Sequence, residues 1–172
     1  MTSESNAGTE YARLLAENQR YTDAFDRSAL TAAPLSGLAI VACMDARLDV
    51  EEALGLRTGD AHIIRNAGGI VTDDVVRSLI VSQQLLGTDE IVVIQHSGCG
   101  LHGADEGALR DRVADMADTT PDAVEIEFGS FPDLEASVRA QVARLEAHPF
   151  LRSVPVHGLI FDVATGRLHE IA

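Results

Sequence analysis

Two cysteines and a histidine carry the strongest chemical signal in this chain. His96 and Cys99 stand three residues apart in Gln95-His96-Ser97-Gly98-Cys99-Gly100, directly after the apolar run Ile91-Val92-Val93-Ile94. An imidazole and a thiolate on the turn that closes a strand offer two borderline-soft donors to one cation, which is half of a zinc site. The other cysteine, Cys43, ends a second apolar run, Leu38-Ala39-Ile40-Val41-Ala42. Three protein donors would leave one tetrahedral position open, as in catalytic rather than structural zinc. Asp45 and Arg47 follow Cys43 at steps of two, so in an extended segment all three side chains would face one way. A carboxylate beside the metal can accept a hydrogen bond from bound solvent, and an arginine fork can hold that carboxylate off the metal. The competing readings are two buried thiols without chemistry and an ordinary ion pair at a strand end.

The elements that must bring these residues together are legible in the apolar pattern. Residues 38–42, 61–65, 91–95 and 156–163 read as strands, the first and third buried on both faces. Residues 50–54, 72–86, 105–116 and 130–147 read as helices. Thr72 is placed to cap the second of these, with Asp73 and Asp74 in its first turn and Gly87 at its end. Ser130 is the expected cap of the last, with Pro132 in the first turn. Residues 167–171 return after the Thr165-Gly166 turn as an antiparallel edge. Strands alternating with helices give an α/β fold with a mostly parallel central sheet, about four parallel strands plus the antiparallel edge, flanked by helices. In such sheets ligands gather at the carboxyl ends of strands, where Cys43 and His96 both lie. Residues 1–8 read as disordered. Tyr11, Leu14 and Leu15 mark an N-terminal helix, with a second short helix around Ala24 and Phe25.

Together, Cys43-Met44-Asp45-Ala46-Arg47, Arg65-Asn66-Ala67-Gly68 and His96-Ser97-Gly98-Cys99-Gly100 resemble the three signature blocks of the β-class carbonic anhydrases, specifically their small bacterial, plant-type-like members. The resemblance implies one Zn2+ per chain on Cys43, His96 and Cys99, with Asp45 and Arg47 as a catalytic pair. It further implies reversible hydration of carbon dioxide to bicarbonate and a proton, by attack of zinc-bound hydroxide. It also implies a homodimer or homotetramer of single-domain chains (1–172). The arm over residues 9–30 is too thin to form a core alone, so it is expected to lie against the domain or on a partner subunit. Arg65, Asn66, Ala67 and Gly68 are expected to line the site, with backbone amides near Gly98 and Gly100 orienting substrate. Two thiolates nearly cancel the metal's charge, so activity is expected to climb through the alkaline range. Two departures stand out. Pro34 occupies the place of a substrate-binding glutamine, and Ile40 that of a tryptophan used for bicarbonate inhibition in some bacterial members.

Two rival functions are carried alongside. One keeps the scaffold but hydrolyses carbonyl sulfide or carbon disulfide, and the other is a non-catalytic zinc or thiol-redox protein built on Cys43 and Cys99. Composition narrows the field further. The 172 residues are 46% hydrophobic and carry a formal net charge of −14, which argues against nucleic acid and anionic membrane as partners and leaves a small-molecule substrate. The polar N-terminus lacks the pattern of a signal peptide, so a cytoplasmic location is expected. His102 could shuttle protons, although an exposed loop histidine is the simpler reading. The Asn66–Gly69 stretch lacks the spacing of a phosphate loop and reads as a close backbone approach to the site.

Overall fold

The computed structural model describes residues 7–172, which divide into two units with the chain boundary between Thr31 and Ala32. The first is a helix, α1 (Ala7–Asp23), with the coil that follows it. Tyr11, Leu14 and Leu15 form its apolar stripe and are exposed, while Glu10–Arg13 and Glu17–Arg20 pair one turn apart. No second helix forms around Ala24 and Phe25. Their amides bond back to Tyr21 and Thr22 in single turns that extend the end of α1, and the Phe25 ring packs on Tyr21. The disorder expected over residues 1–8 falls for residues 1–6 outside the described residues, and α1 begins at Ala7.

The second unit is a five-stranded sheet in the order β2-β1-β3-β4-β5. Strands β1 (Leu38–Cys43), β2 (Ala61–Asn66), β3 (Glu90–His96) and β4 (Val156–Phe161) run parallel, and β5 (Leu168–Glu170) is the antiparallel edge. Alternation along β1 and β3 divides the core between two faces. Ala39, Val41, Ile91 and Val93 pack against Val75, Val76 and Leu79 of α3 (Asp73–Leu86) and Leu145 of α5 (Leu134–Glu146). Ile40, Ala42 and Ile94 pack on the other side with Leu48, Phe161 and Val50 of α2 (Val50–Leu54).

Helix α3 starts where its sequence directs, with the Thr72 hydroxyl accepting from the Val75 amide at 3.3 Å, and it ends at Gly87. Helix α5 starts later than its sequence suggested. Asp133, not Ser130, caps it by accepting from the Ala136 amide at 2.7 Å. The Ser130 amide is engaged elsewhere, donating to Glu106 at 2.7 Å, and Pro132 lies outside the helix. Glu106 opens α4 (Glu106–Met116), so the far end of the 117–130 connection is tied back to that helix. Arg110 ties it further by donating to the Val124 and Ile126 carbonyls. Strand β4 stops at Phe161 because Asp162 turns the chain, its carboxylate accepting the Ala164 amide at 2.8 Å. No helix among the described residues is long and apolar enough to cross a membrane.

Candidate metal centre

Strands β1 and β3 are neighbours, paired from Leu38↔Glu90 to Ala42↔Ile94. Cys43 therefore ends one strand beside the end of the other, where His96 is the last residue, and the turn after β3 brings Cys99 to the same point. The two Sγ atoms and an imidazole nitrogen all lie within 4.8 Å of one another, and all three residues are buried. Zinc–ligand bonds of roughly 2.0–2.3 Å set tetrahedral ligand separations of about 3.6 Å, so this cluster is close to the size required.

The imidazole is already oriented for a metal. His96 Nδ1 donates to the Ser97 carbonyl at 3.0 Å, which puts its proton on that nitrogen. Nε2 is then a buried lone pair with no hydrogen-bond partner. An orphaned acceptor beside two thiols is costly unless a cation satisfies it. Burial pushes the Cys99 thiol up, with the neighbouring Cys43 adding to the shift, so a cation is also what would let that sulfur ionise. No fourth His, Cys, Asp or Glu joins the cluster among the described residues, which leaves one position for solvent or substrate. The residues fit zinc.

Asp45 and Arg47 meet as their spacing suggested, for a different reason. Residues 45–48 form a turn rather than an extended segment, closed by the Leu48 amide donating to the Asp45 carbonyl at 3.1 Å. Asp45 Oδ1 accepts the Arg47 amide at 2.9 Å, closing an Asx-type turn. The Arg47 guanidinium then grips both carboxylate oxygens, Nε to Oδ1 at 2.9 Å and Nη2 to Oδ2 at 2.7 Å. That grip holds the Asp45 carboxyl well below the usual carboxylate range. Arg47 is fixed in turn by donating to the Gly98 carbonyl at 3.0 Å. Asp45 Oδ2 lies 3.6 Å from His96 Nε2, so the carboxylate borders the cluster while both of its oxygens stay engaged.

The Arg65–Gly69 block braces this arrangement. Arg65 donates to the carbonyls of Cys43 and Asp45 at 2.9 and 2.7 Å. The Asn66 side chain closes a ring with the backbone of Ile70, and Ala67 is exposed. Gly68 is buried, with its carbonyl accepting from Gln95 Nε2 at 2.7 Å. Gly69 is the wedge between the two strand ends that carry Cys43 and His96. A Cβ there would stand 2.8 Å from the Ile94 carbonyl oxygen and 2.9 Å from the Cys43 nitrogen, at a φ of +60°. Gly69→Ala is therefore expected to destabilise the fold by about 1–3 kcal/mol and to spread the cluster. A denaturant midpoint and a chelator competition read the two effects separately. Gly100 has open space around it.

Two residues near the thiols carried no sequence signal. Phe131 and Leu101 pack against Cys43 and Cys99 and give the centre an apolar wall. Phe131 reaches it from the coil before α5, through a bridge to His102, and nothing in its local sequence marks that route. His102 itself is exposed and stacks on Phe131 with ring centroids 5.7 Å apart. His62 is structural, with Nε2 donating to the Ala32 carbonyl and Nδ1 bonded to the buried Ser82 hydroxyl.

The profile of the family described as carbonic anhydrase matches residues 38–168. A β-carbonic anhydrase from Mycobacterium tuberculosis is 43% identical over 158 residues, covering 91% of this chain and 94% of the relative. The chain belongs to the β-carbonic anhydrase family. A carbonic anhydrase structure from Streptococcus mutans superposes with a TM-score of 0.87 at 42% identity, covering 94% of this chain and 97% of that one. A carbon disulfide hydrolase from Acidithiobacillus thiooxidans is 38% identical over 147 residues, or 75% of this chain and 74% of its own. As a member of the β-carbonic anhydrase family the chain is a zinc-dependent lyase acting on carbon dioxide, and its Cys43–His96–Cys99 cluster is placed to hold one ion.

Proposed function

We propose that Cys43, His96 and Cys99 hold the zinc and that Asp45 and Arg47 run the hydration of carbon dioxide beside it. The observation that carries this reading is the partnerless His96 Nε2 among two thiols, with Asp45 at its side and gripped by Arg47. Zinc supplies a Lewis acid that makes coordinated water a nucleophile near neutral pH. Asp45, ionised throughout the working range, is placed so that its carboxylate would accept a hydrogen bond from solvent at the open position and orient it towards substrate. Arg47 keeps the carboxylate from taking the open position itself. Phe131 and Leu101 present an apolar surface suited to a linear, uncharged substrate. Arg65, Asn66 and Gly68 act by bracing the backbone around the ligands, and Gly98 by fixing Arg47.

The carbon disulfide hydrolase relative supports a second reading, hydrolysis of carbon disulfide or carbonyl sulfide at the same metal. Stopped-flow hydration of carbon dioxide, run beside sulfide release from the other two substrates on zinc-replete protein, decides between them. Hydration is expected to dominate, and sulfide release without hydration would reverse the assignment. Zinc and free-thiol content on the same sample excludes the redox reading if one zinc and no disulfide are found per chain.

The assembly is proposed to be a homodimer or homotetramer in the cytoplasm. The arm supports it, since Tyr11, Leu14, Leu15 and Phe25 are all exposed, and such a stripe is suited to cover on a partner subunit.

A further inference from the structure

Ser97 lies between two of the metal ligands, and every polar group it has is committed. Its amide donates to the Phe161 carbonyl at 2.9 Å. Its carbonyl accepts from His96 Nδ1 at 3.0 Å. Its hydroxyl accepts from the Val163 amide at 3.1 Å and donates to Asp162 Oδ1 at 3.3 Å. Asp162 is itself locked into the β4–β5 turn. Oδ1 accepts the Ala164 amide at 2.8 Å, Oδ2 accepts the Thr165 hydroxyl at 3.0 Å, and the Asp162 carbonyl accepts the Gly166 amide at 2.8 Å. Those amide and hydroxyl bonds keep its carboxyl below the usual range, so it meets Ser97 as an anion.

We infer that Ser97 and Asp162 are positioning residues of the metal centre, clamping the 97–100 turn to the β4–β5 turn so that the Ser97 carbonyl holds the His96 imidazole in its metal-binding tautomer. The physical need is specific. A neutral imidazole carries its proton on either nitrogen, and only a fixed acceptor at Nδ1 keeps the Nε2 lone pair aimed at the thiols. The Ser97 carbonyl is that acceptor, yet it sits on a turn whose next residue, Gly98, is exposed. Two bonds from the serine hydroxyl and one from its amide, all to the segment 161–163, stop the peptide from rotating. Asp162 lies outside the motif blocks, and its side chain is linked to His96 through Ser97.

This inference rests on the zinc reading proposed above, and the experiment separates the two. Zinc affinity is measured by competition with a chromophoric chelator, and the visible spectrum of the cobalt-substituted protein reports ligand geometry. If wild type binds no zinc, the zinc reading fails. With wild type binding one ion, Ser97→Ala is expected to weaken zinc by roughly 10- to 100-fold and to alter the cobalt bands. Ser97→Thr, which keeps the hydroxyl, is expected to retain the wild-type spectrum and an affinity within about threefold. A purely structural serine would lower the thermal midpoint of Ser97→Ala and leave its cobalt spectrum and zinc affinity unchanged, and that result overturns the inference. If Ser97→Ala does not fold, Asp162→Ala decides by removing the clamp from the far side. A loss of at least about tenfold in zinc affinity upholds the clamp, and an affinity within about twofold of wild type rejects it.

Discussion

Cys99→Ala is expected to lose zinc and to lower carbon dioxide hydration by at least about a thousandfold, because two donors cannot hold a metal that must also activate solvent. The fold itself should survive. Cys99 sits among Cys43, Phe131 and Leu101, where alanine is smaller and still apolar. Burial raises the Cys99 thiol's pKa, so in the metal-free protein the sulfur is neutral and its removal strips no charge from the core. The thermal midpoint of the metal-free variant should therefore stay near that of metal-free wild type. Only the rise in midpoint on adding zinc should vanish, since that rise measures binding to the native state. Circular dichroism melts with and without zinc, beside a metal analysis, check both halves. Retained zinc with full turnover would remove Cys99 from the centre.

Asp45→Asn should do the opposite, keeping zinc while losing roughly a hundredfold in turnover. Asparagine preserves the shape, and its carbonyl can still accept the Arg47 amide. It has lost the anionic acceptor that orients solvent, and one face of the amide now carries N–H donors towards a guanidinium that also donates. The pH dependence follows from the direction of the shift. Arg47's side chain, and then its amide, lower the Asp45 pKa in the folded state. The pair's contribution to stability is therefore fully present above the unfolded carboxyl value of about 4 and is lost as pH falls towards the folded one. The stability gap between wild type and variant should thus be widest at neutral pH and close in strong acid. Asp45 should add no titration step to the neutral or alkaline part of the activity curve. Stopped-flow rates and urea midpoints across pH test this together, and unchanged turnover would take Asp45 out of the mechanism.

The candidate ligands Cys43 and His96 were legible because each follows an apolar run, where topology brings strand ends together, and Cys99 because it stands three residues beyond His96 on the same turn. Thr72 and Gly87 were equally plain, since a cap and a stop act through their own backbone. What stayed hidden depends on partners remote in sequence. Ser130 looks like a cap until its hydroxyl and its amide both turn to Glu106, which leaves Asp133 to start the helix. Asp45 and Arg47 looked like alternate residues of a strand, whereas the Asp45 side chain folds the backbone back on itself. Phe131 and Asp162 touch the centre or its supports across connections that carry no periodicity, so only the folded chain reveals them.

The order β2-β1-β3 has a kinetic consequence for metal loading. Cys43 and His96 become neighbours only after the chain has made two crossovers, through α2 and α3, and seated Gly69 between the strand ends. Closing so long a connection is entropically slow and is rewarded only once both helices dock. A newly made or unfolded chain therefore offers zinc little more than the local His96–Cys99 pair, and tight capture must lag behind sheet assembly. Refolding with a zinc-sensitive dye present should show chelation arriving with the last structural phase rather than the first.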